Sequence, residues 1–263
     1  MLVVKDNRNN VPIIRQQIIS RLQEMADPET ARTAQRFFPK KIDCFGVRAA
    51  DLRSLSREIF RRVESEWSTG QALELAEGLF DRQELETRTC GLLVLGFFQS
   101  GLSRPHLDKI KSWLKKGYLD NWALIDTLSL EVLGPYFLRN PGELKIISSW
   151  ALDDSPYLRR TALVSLVKLA RDKKNLSLIF RTIRFAVGKD ISGDLVAKAA
   201  GWLLREAGKS DPGRLEKFLL TYGRQLPRVT VRYALEKFSG RRREHLMKIT
   251  KINLSRRHYD QQT

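Results

Sequence analysis

The chain has 263 residues, of which 42 % are hydrophobic and 29 % are charged, and its formal net charge is +17. This composition excludes wholesale disorder and leaves enough apolar surface for a continuous core. The excess of basic residues predicts a polyanionic partner, either nucleic acid or an anionic membrane surface. No apolar run approaches the roughly 18 residues that a membrane span needs. We therefore expect no membrane association and a cytoplasmic location, in the bacterial cytosol or nucleoid.

Cysteine and histidine are too few and too scattered for a disulfide framework or a metal centre. The two cysteines are Cys44 and Cys90, and the latter lies in an apolar run that is typical of a buried core. None of the three histidines belongs to an HExxH motif, and no CxxC motif is present. We therefore expect neither a metal nor a cofactor.

The N-terminal region predicts a helical pair that caps the rest of the chain. An apolar stripe from Ile14 to Leu22 has the spacing of a helix with one buried face. The predicted pair covers about residues 11–25 and 28–38. The segment that follows, 39–47, contains two lysines and a glycine and is predicted to be a loop.

From Arg48 onward, a helical hairpin restarts about every thirty-six residues. A fixed period of this length is typical of a solenoid, whose core lies between neighbouring repeats. Several starts are marked by a capping residue before a proline, as in Ser155-Pro156 and Asp211-Pro212. The Gly134-Pro135 pair is expected to end the helix that begins near Asp120. The six predicted hairpins cover residues 48–80, 83–117, 120–152, 155–187, 191–222 and 228–252.

This pattern predicts an all-α fold, a solenoid of helical hairpins whose basic concave face holds a polyanion. We expect a single domain over residues 1–263, ending in a basic tail at 253–263, and a monomer. No stretch shows the sustained two-residue alternation of a sheet. The run Arg241–Arg243 has two readings, a solvated terminal helix or a contact with phosphates.

Three segments, on the predicted first helices of the third, fourth and fifth hairpins, carry candidate site residues. These are Trp122 with Asp126, Arg160 with Lys168, and Trp202 with Arg205. Their spacings of four, eight and three residues place the members of each pair near one side of a helix. Because the first helices of a solenoid line one wall, the three pairs could converge on one patch. The plainer readings are core packing for the tryptophans and solvated surface for the charged residues.

In order and spacing, these segments resemble the AlkD family of DNA alkylation repair glycosylases, which are built of HEAT-like repeats. The resemblance covers roughly residues 28 to 240. It implies a right-handed superhelical solenoid of HEAT-like helical hairpins, with a concave basic face that binds DNA. It implies that Trp122 and Asp126 are a catalytic pair and that Trp202 is the second tryptophan of the site. It also implies DNA-binding roles for Arg160, which lies near the lesion, and for Lys168, Arg205, Arg48 and Arg53.

Two positions depart from the family pattern. The family often carries a tyrosine in its N-terminal helix, where the nearest aromatic residue of this chain is Phe37 or Phe38. A glutamine of the family corresponds to Arg48 here. Since these residues hold DNA rather than cleave the bond, we expect altered binding more than lost chemistry, and we assign Phe37 to DNA binding.

The resemblance implies a monofunctional glycosylase that hydrolyses the N-glycosidic bond of cationic N3- or N7-alkylpurines in duplex DNA, without flipping the base. An alternative is a non-catalytic HEAT-repeat protein that binds damaged or branched DNA. A protein–protein scaffold would explain the repeats, but it would not explain the charge.

Overall fold

The computed structural model describes residues 9–188 and 194–251, and it contains helices but no strand within those ranges. The predicted all-α class is confirmed. The predicted helix start near Ile191 and the basic tail at 253–263 lie outside the described residues. Within the described ranges, no helix combines the length and the apolar composition that crossing a bilayer requires.

The helices follow one another with short connections, several of which contain 3₁₀ turns. The α-helices are α1 Val11–Glu24, α2 Pro28–Gln35, α3 Ala49–Val63, α4 Thr69–Gly78, α5 Leu85–Phe97, α6 Arg104–Lys115, α7 Trp122–Thr127, α8 Gly134–Arg139, α9 Lys145–Ala151, α10 Pro156–Ser165, α11 Leu176–Gly188, α12 Asp194–Ser210, α13 Pro212–Tyr222, α14 Arg228–Ala234 and α15 Gly240–Ile249.

Five of the predicted hairpin starts agree with the structure, and two predicted helix caps are present. Helices α3, α5, α7, α10 and α14 each begin at the predicted residue or within two residues of it. The Asp211 carboxylate accepts a hydrogen bond from the N–H of Arg214 at 3.0 Å, and the Ser155 hydroxyl accepts one from Leu158 at 3.5 Å. Both residues cap their helices, as the serine–proline and aspartate–proline pairs predicted.

The prediction that Gly134-Pro135 ends the helix of Asp120 was wrong. Helix α7 continues into a π-helical stretch, Leu128–Leu133, and then directly into α8, so the backbone stays helical to Arg139. A proline in a helix removes one N–H donor and crowds the carbonyl four residues before it. The wider i→i+5 turns of the π-helical stretch relieve this conflict, because they shift the hydrogen-bond register ahead of the proline.

The chain divides into two compact units, Met1–Arg139 and Asn140–Thr263. In the first unit, α5 packs against α3, α4 and the π-helical stretch. In the second unit, α12 packs most extensively against α14 and also against α10. Successive first helices of the predicted hairpins are therefore neighbours within each unit. The single solenoid domain stays a prediction.

The two cysteines differ in burial, and this difference predicts different reactivity. Burial raises the pKa of the Cys90 thiol to about 12, although a hydrogen bond with the Ser56 hydroxyl acts in the opposite direction. Burial also raises the pKa of Cys44, and the nearby Glu86 carboxylate adds to this effect. Since the thiolate is the reactive form, we expect an aromatic disulfide reagent at pH 8 to label Cys44 slowly and Cys90 only after denaturation. Rapid titration of two thiols in the native protein would contradict this expectation.

Candidate functional site

Helix α7, which carries Trp122 and Asp126, is fixed at its first turn by its N-cap residue, Asn121. The Asn121 side-chain oxygen accepts hydrogen bonds from the backbone N–H groups of Ala123 and Leu124 at 3.1 and 3.2 Å. A side-chain cap satisfies donors that have no partner within the helix. The cap therefore sets the direction in which both candidate side chains leave the helix.

A buried arginine of α5 braces the same turn. Arg88 is 8 % exposed, and its guanidinium donates to the carbonyls of Gln83 and Tyr118 at 2.9 and 3.4 Å. It also donates to the Asp120 carboxylate at 3.1 Å, and the same carboxylate oxygen accepts from the Asn121 amide at 3.1 Å. A guanidinium that donates to several acceptors is held in one orientation. Arg88 thus ties α5 to the start of α7.

The cap of α7 gives a stability prediction. We expect Asn121→Ala to lower the free energy of unfolding by about 1 kcal/mol, because two backbone donors lose their acceptor. Asn121→Ser keeps a capping oxygen and should lose only a fraction of that amount. Urea unfolding of both variants checks the prediction, and equal losses would show that the cap is not the cause.

The Trp122 ring is held by the segment that follows α2. It stacks on Phe38 with the ring centroids 5.1 Å apart and the planes 20° apart, and its indole N–H donates to the Phe37 carbonyl at 3.3 Å. Trp122 is half-buried, whereas the Phe37 side chain is 70 % exposed. Of the two phenylalanines that the sequence offered, Phe38 therefore supports Trp122, and Phe37 contributes its carbonyl there and exposes its ring.

The loop before α3 is anchored by a carboxylate that the sequence analysis missed. Glu86, in the first turn of α5, is 6 % exposed and accepts hydrogen bonds from the N–H groups of Phe45, Gly46 and Val47 at 2.9, 2.8 and 3.1 Å. A buried carboxylate needs such donors to offset its lost hydration. The only available signal in the sequence was an acidic residue at the start of an otherwise apolar helix.

Both arginines assigned to DNA in the first unit are paired with carboxylates. Arg48, which precedes α3, contacts Asp51 at 2.9 Å, and Arg53 on α3 contacts Glu131 at 3.0 Å. All four side chains are at least partly exposed, so water screens these pairs and they contribute little to stability. Such pairs can exchange a carboxylate for a phosphate at small cost.

Asp126 lies one turn beyond Trp122 on α7 and is half-buried. The two residues are four apart in a regular helical segment, so their side chains share one face, as their spacing predicted. The structure therefore brings together a half-buried carboxylate, an oriented indole and the Phe38 ring. This arrangement offers a negative charge and an aromatic face beside each other, which suits a ligand with positive charge.

In the second unit, Arg160 lies on α10 and is buried rather than solvated. It is 6 % exposed, and its guanidinium donates to the Leu195 carbonyl of α12 at 2.6 Å. This bond orients the side chain between two first helices. Burial excludes the plainer reading of Arg160 as a solvated surface charge.

Lys168 does not lie on the helix of Arg160, contrary to the prediction. Helix α10 ends at Ser165, and a turn at 166–168 leads into a short 3₁₀ helix, Leu169–Arg171. The chain tightens there because N–H groups bond three residues back, as from Val167 to the Val164 carbonyl at 3.1 Å. Such turns hold three residues rather than 3.6, so positions beyond Ser165 rotate away from those of a straight helix. Lys168 is half-buried in this turn.

Trp202 and Arg205 lie on α12, where α14 approaches very closely. A Cβ atom added at Gly201 would stand 2.5 Å from the Tyr233 Cβ and 2.8 Å from the Thr230 carbonyl oxygen, so only glycine fits. This close packing fixes α12 beside Trp202, which is half-buried. The two helices are thus locked together where both candidate residues emerge.

Arg205 is shared between two carboxylates, Glu206 at 3.5 Å and Glu236, with which it forms a short hydrogen bond. That hydrogen bond, followed by the positive charge of Arg205, lowers the pKa of Glu236. Glu236 therefore stays ionised and holds Arg205 in the protein without DNA.

The sequence-predicted site residues are distributed over both units. Phe37, Arg48, Arg53, Trp122 and Asp126 belong to the first unit, and Arg160, Lys168, Trp202 and Arg205 belong to the second. Within residues 9–188 and 194–251, no three histidine, cysteine, aspartate or glutamate side chains cluster in a way that could hold a metal ion.

Comparisons with known proteins identify the family of the chain. The family model described as "DNA alkylation repair enzyme" matches residues 18–238. Among solved structures, the chain is similar to a "Predicted DNA alkylation repair enzyme from Enterococcus faecalis", with a TM-score of 0.71 and 19 % identity over 82 % of this chain and 98 % of that one. At that identity the likeness supports the fold alone. No curated protein matches the sequence. Because the family model matches most of the length of this chain, the chain belongs to the DNA alkylation repair enzyme family.

Proposed function

We propose that the chain is a monofunctional DNA glycosylase of the AlkD type, which hydrolyses the N-glycosidic bond of N3- or N7-alkylpurines in duplex DNA. The observation that carries the proposal is the pair Trp122 and Asp126, oriented on one face of α7 in a chain of a DNA alkylation repair family. The proposal includes a HEAT-like superhelix with a basic DNA-binding face, a monomeric state and a cytoplasmic location.

The chemistry requires little beyond electrostatic support. Alkylation of a ring nitrogen leaves the purine cationic, so the base departs as a neutral molecule. The barrier arises mainly from the positive charge that develops on the deoxyribose as the bond breaks. A carboxylate beside the sugar stabilises this charge and positions the attacking water. We assign both tasks to Asp126.

The aromatic residues favour bases that carry a positive charge over neutral bases. Trp122 in the first unit and Trp202 in the second each offer an indole face, and such a face attracts a cation by roughly 0.5–2 kcal/mol, depending on desolvation. Trp122 is held ready for this contact by its stack on Phe38 and its bond to the Phe37 carbonyl. A neutral base gains no such attraction, so cationic lesions are favoured.

The basic residues bind the backbone of the duplex. Arg48, Arg53, Lys168 and Arg205 contact phosphates, which positions the duplex without reading its sequence. Arg160 is already oriented by its bond to the Leu195 carbonyl and acts nearest the lesion. The base stays in the duplex during hydrolysis, in keeping with the AlkD family.

The proposed function is tested by comparing DNA lesions that carry a positive charge with a lesion that is neutral. Duplexes that carry N7-methylguanine, N3-methyladenine or the neutral O6-methylguanine are incubated with the protein, and the free bases are identified by mass spectrometry. We expect release of the two cationic bases only, with the DNA strand left intact. Binding of all duplexes without release of any base would instead favour a non-catalytic DNA-binding protein.

A further inference from the structure

Three of the four arginines of helix α3 form a row along it, and the function proposed above assigns only the first of these three. Arg53, Arg57 and Arg61 follow one another at four-residue intervals and are all exposed. Residues four apart are neighbours on one side of a helix and lie about 6 Å apart along its axis. We call this row the α3 arginine ridge.

The contacts of α3 show what lies beside the ridge within the first unit. Next to the ridge, Glu58 of α3 pairs with Arg21 of α1 at 3.2 Å. On the ridge flank, Arg53 reaches Glu131 at 3.0 Å, and Glu131 follows Asp126 by five residues in the same continuous helical segment. The Arg53 end of the ridge therefore lies beside Glu131, a partly exposed residue of the π-helical stretch that follows α7.

Along the ridge the arginines differ in their partners. Arg53 is paired with Glu131, whereas the side chains of Arg57 and Arg61 make no hydrogen bond or ion pair with any residue of the described ranges 9–188 and 194–251. An exposed guanidinium without a carboxylate keeps its five N–H donors for a ligand. The planar N–H donors of a guanidinium match the oxygens of a phosphate better than the N–H donors of a lysine do.

The length of the ridge also suits a nucleic acid backbone. From Arg53 to Arg61 it extends about 12 Å along the helix axis. One strand of duplex DNA carries a phosphate every 3.4 Å or so of its axis, and three or four phosphates therefore fall within reach of the ridge.

We propose that the α3 arginine ridge is a further DNA contact, at which Arg57 and Arg61 bind phosphates of the duplex away from the reacting nucleotide. Arg53 joins them when a phosphate displaces Glu131, since an exposed ion pair is weak. The inference rests on the proposed function for its ligand, duplex DNA. Because phosphate contacts position DNA without taking part in bond cleavage, the ridge sets affinity and leaves the rate of cleavage unchanged.

Salt dependence tests the ridge. The affinity of the full chain for an undamaged duplex is measured over a range of salt concentrations for wild type and for Arg57→Gln with Arg61→Gln. Each lost phosphate contact should reduce the slope of log affinity against log salt by about 0.9. We expect the double variant to lose up to about 1.8 in slope and to bind roughly tenfold more weakly, or worse, near 0.1 M salt.

Two further variants complete the test. Arg181→Gln removes an exposed arginine of α11, a second helix of its hairpin, and should leave the slope unchanged. Glu131→Gln frees Arg53 and should strengthen binding by a few fold. A double variant with wild-type slope and affinity would overturn the proposal. So would a loss of slope in Arg181→Gln half as large as that of the double variant, because Arg181→Gln removes one charge instead of two and a mere effect of net charge scales with the charges removed.

These measurements separate the ridge from the proposed function, because they use undamaged DNA and need no base release. A wild-type protein that binds through the ridge but releases no base would remove the glycosylase and keep the ridge. A wild-type protein that releases bases, with ridge variants that bind as it does, would keep the glycosylase and remove the ridge.

Discussion

Replacing Asp126 by asparagine should slow the release of N7-methylguanine by about 10²–10³-fold, measured in a single turnover with the protein in excess. The side chain keeps its size and its place on α7, but it loses the negative charge that, in the proposed mechanism, supports the developing sugar cation. Removal of one preorganised electrostatic partner typically raises a barrier by about 2.7–4 kcal/mol. Duplex affinity should change far less than the rate, because the charge matters most in the transition state.

A matched variant controls for the loss of a carboxylate as such. Asp108 lies on α6, is exposed, and is near Arg104 at 3.8 Å. Asp108→Asn should release the base at the wild-type rate. If Asp126→Asn retained the wild-type rate, or if both variants lost it equally, the assignment of Asp126 would be wrong.

The second large effect concerns the loop before α3. Gly46 has a φ of +82°, and a Cβ atom added there would stand 2.0 Å from the Asp27 carbonyl oxygen and 2.6 Å from the Ala31 nitrogen. Alanine in this backbone conformation costs about 1–2 kcal/mol, and the overpacking adds about 1–3 kcal/mol. We expect Gly46→Ala to lower the free energy of unfolding by about 2–5 kcal/mol, as measured by urea denaturation.

Gly117 provides the control for Gly46. Its φ is +76°, but nothing lies within 4 Å of an added Cβ atom. Gly117→Ala should therefore cost only the backbone strain, about 1–2 kcal/mol. Equal losses in the two variants would show that the close approach of the loop to α2 contributes nothing to stability.

The sequence predicted those features that depend on local chemistry. Capping residues before proline marked the starts of α10 and α13, because a side-chain acceptor and a fixed φ act within one turn. The four-residue spacing of Trp122 and Asp126 placed both on one face of α7, because residues four apart in a helix are neighbours on its surface. Both kinds of signal need only a few neighbouring residues.

Features that depend on contacts between residues distant in sequence could not be predicted from such local patterns. Glu86 accepts hydrogen bonds from a loop about forty residues earlier, and no pattern in the neighbouring residues predicts such a bond. Helix α10 ends at Ser165 without a glycine or proline to mark the turn, so the position of Lys168 was mispredicted. The Gly134-Pro135 pair is of a kind that usually ends a helix, but the π-helical stretch accommodated the proline. In these places tertiary structure outweighed local preference.

The central claim is that this chain cleaves the N-glycosidic bond rather than merely binding damaged DNA. The most direct measurement uses a defined duplex with a single N7-methylguanine, excess wild-type protein, and mass spectrometry of both the free base and the strand. We predict one molecule of N7-methylguanine released per duplex, an unbroken strand that carries an abasic site, and no release from the unmodified duplex. Tight binding of the methylated duplex with no free base would contradict the account.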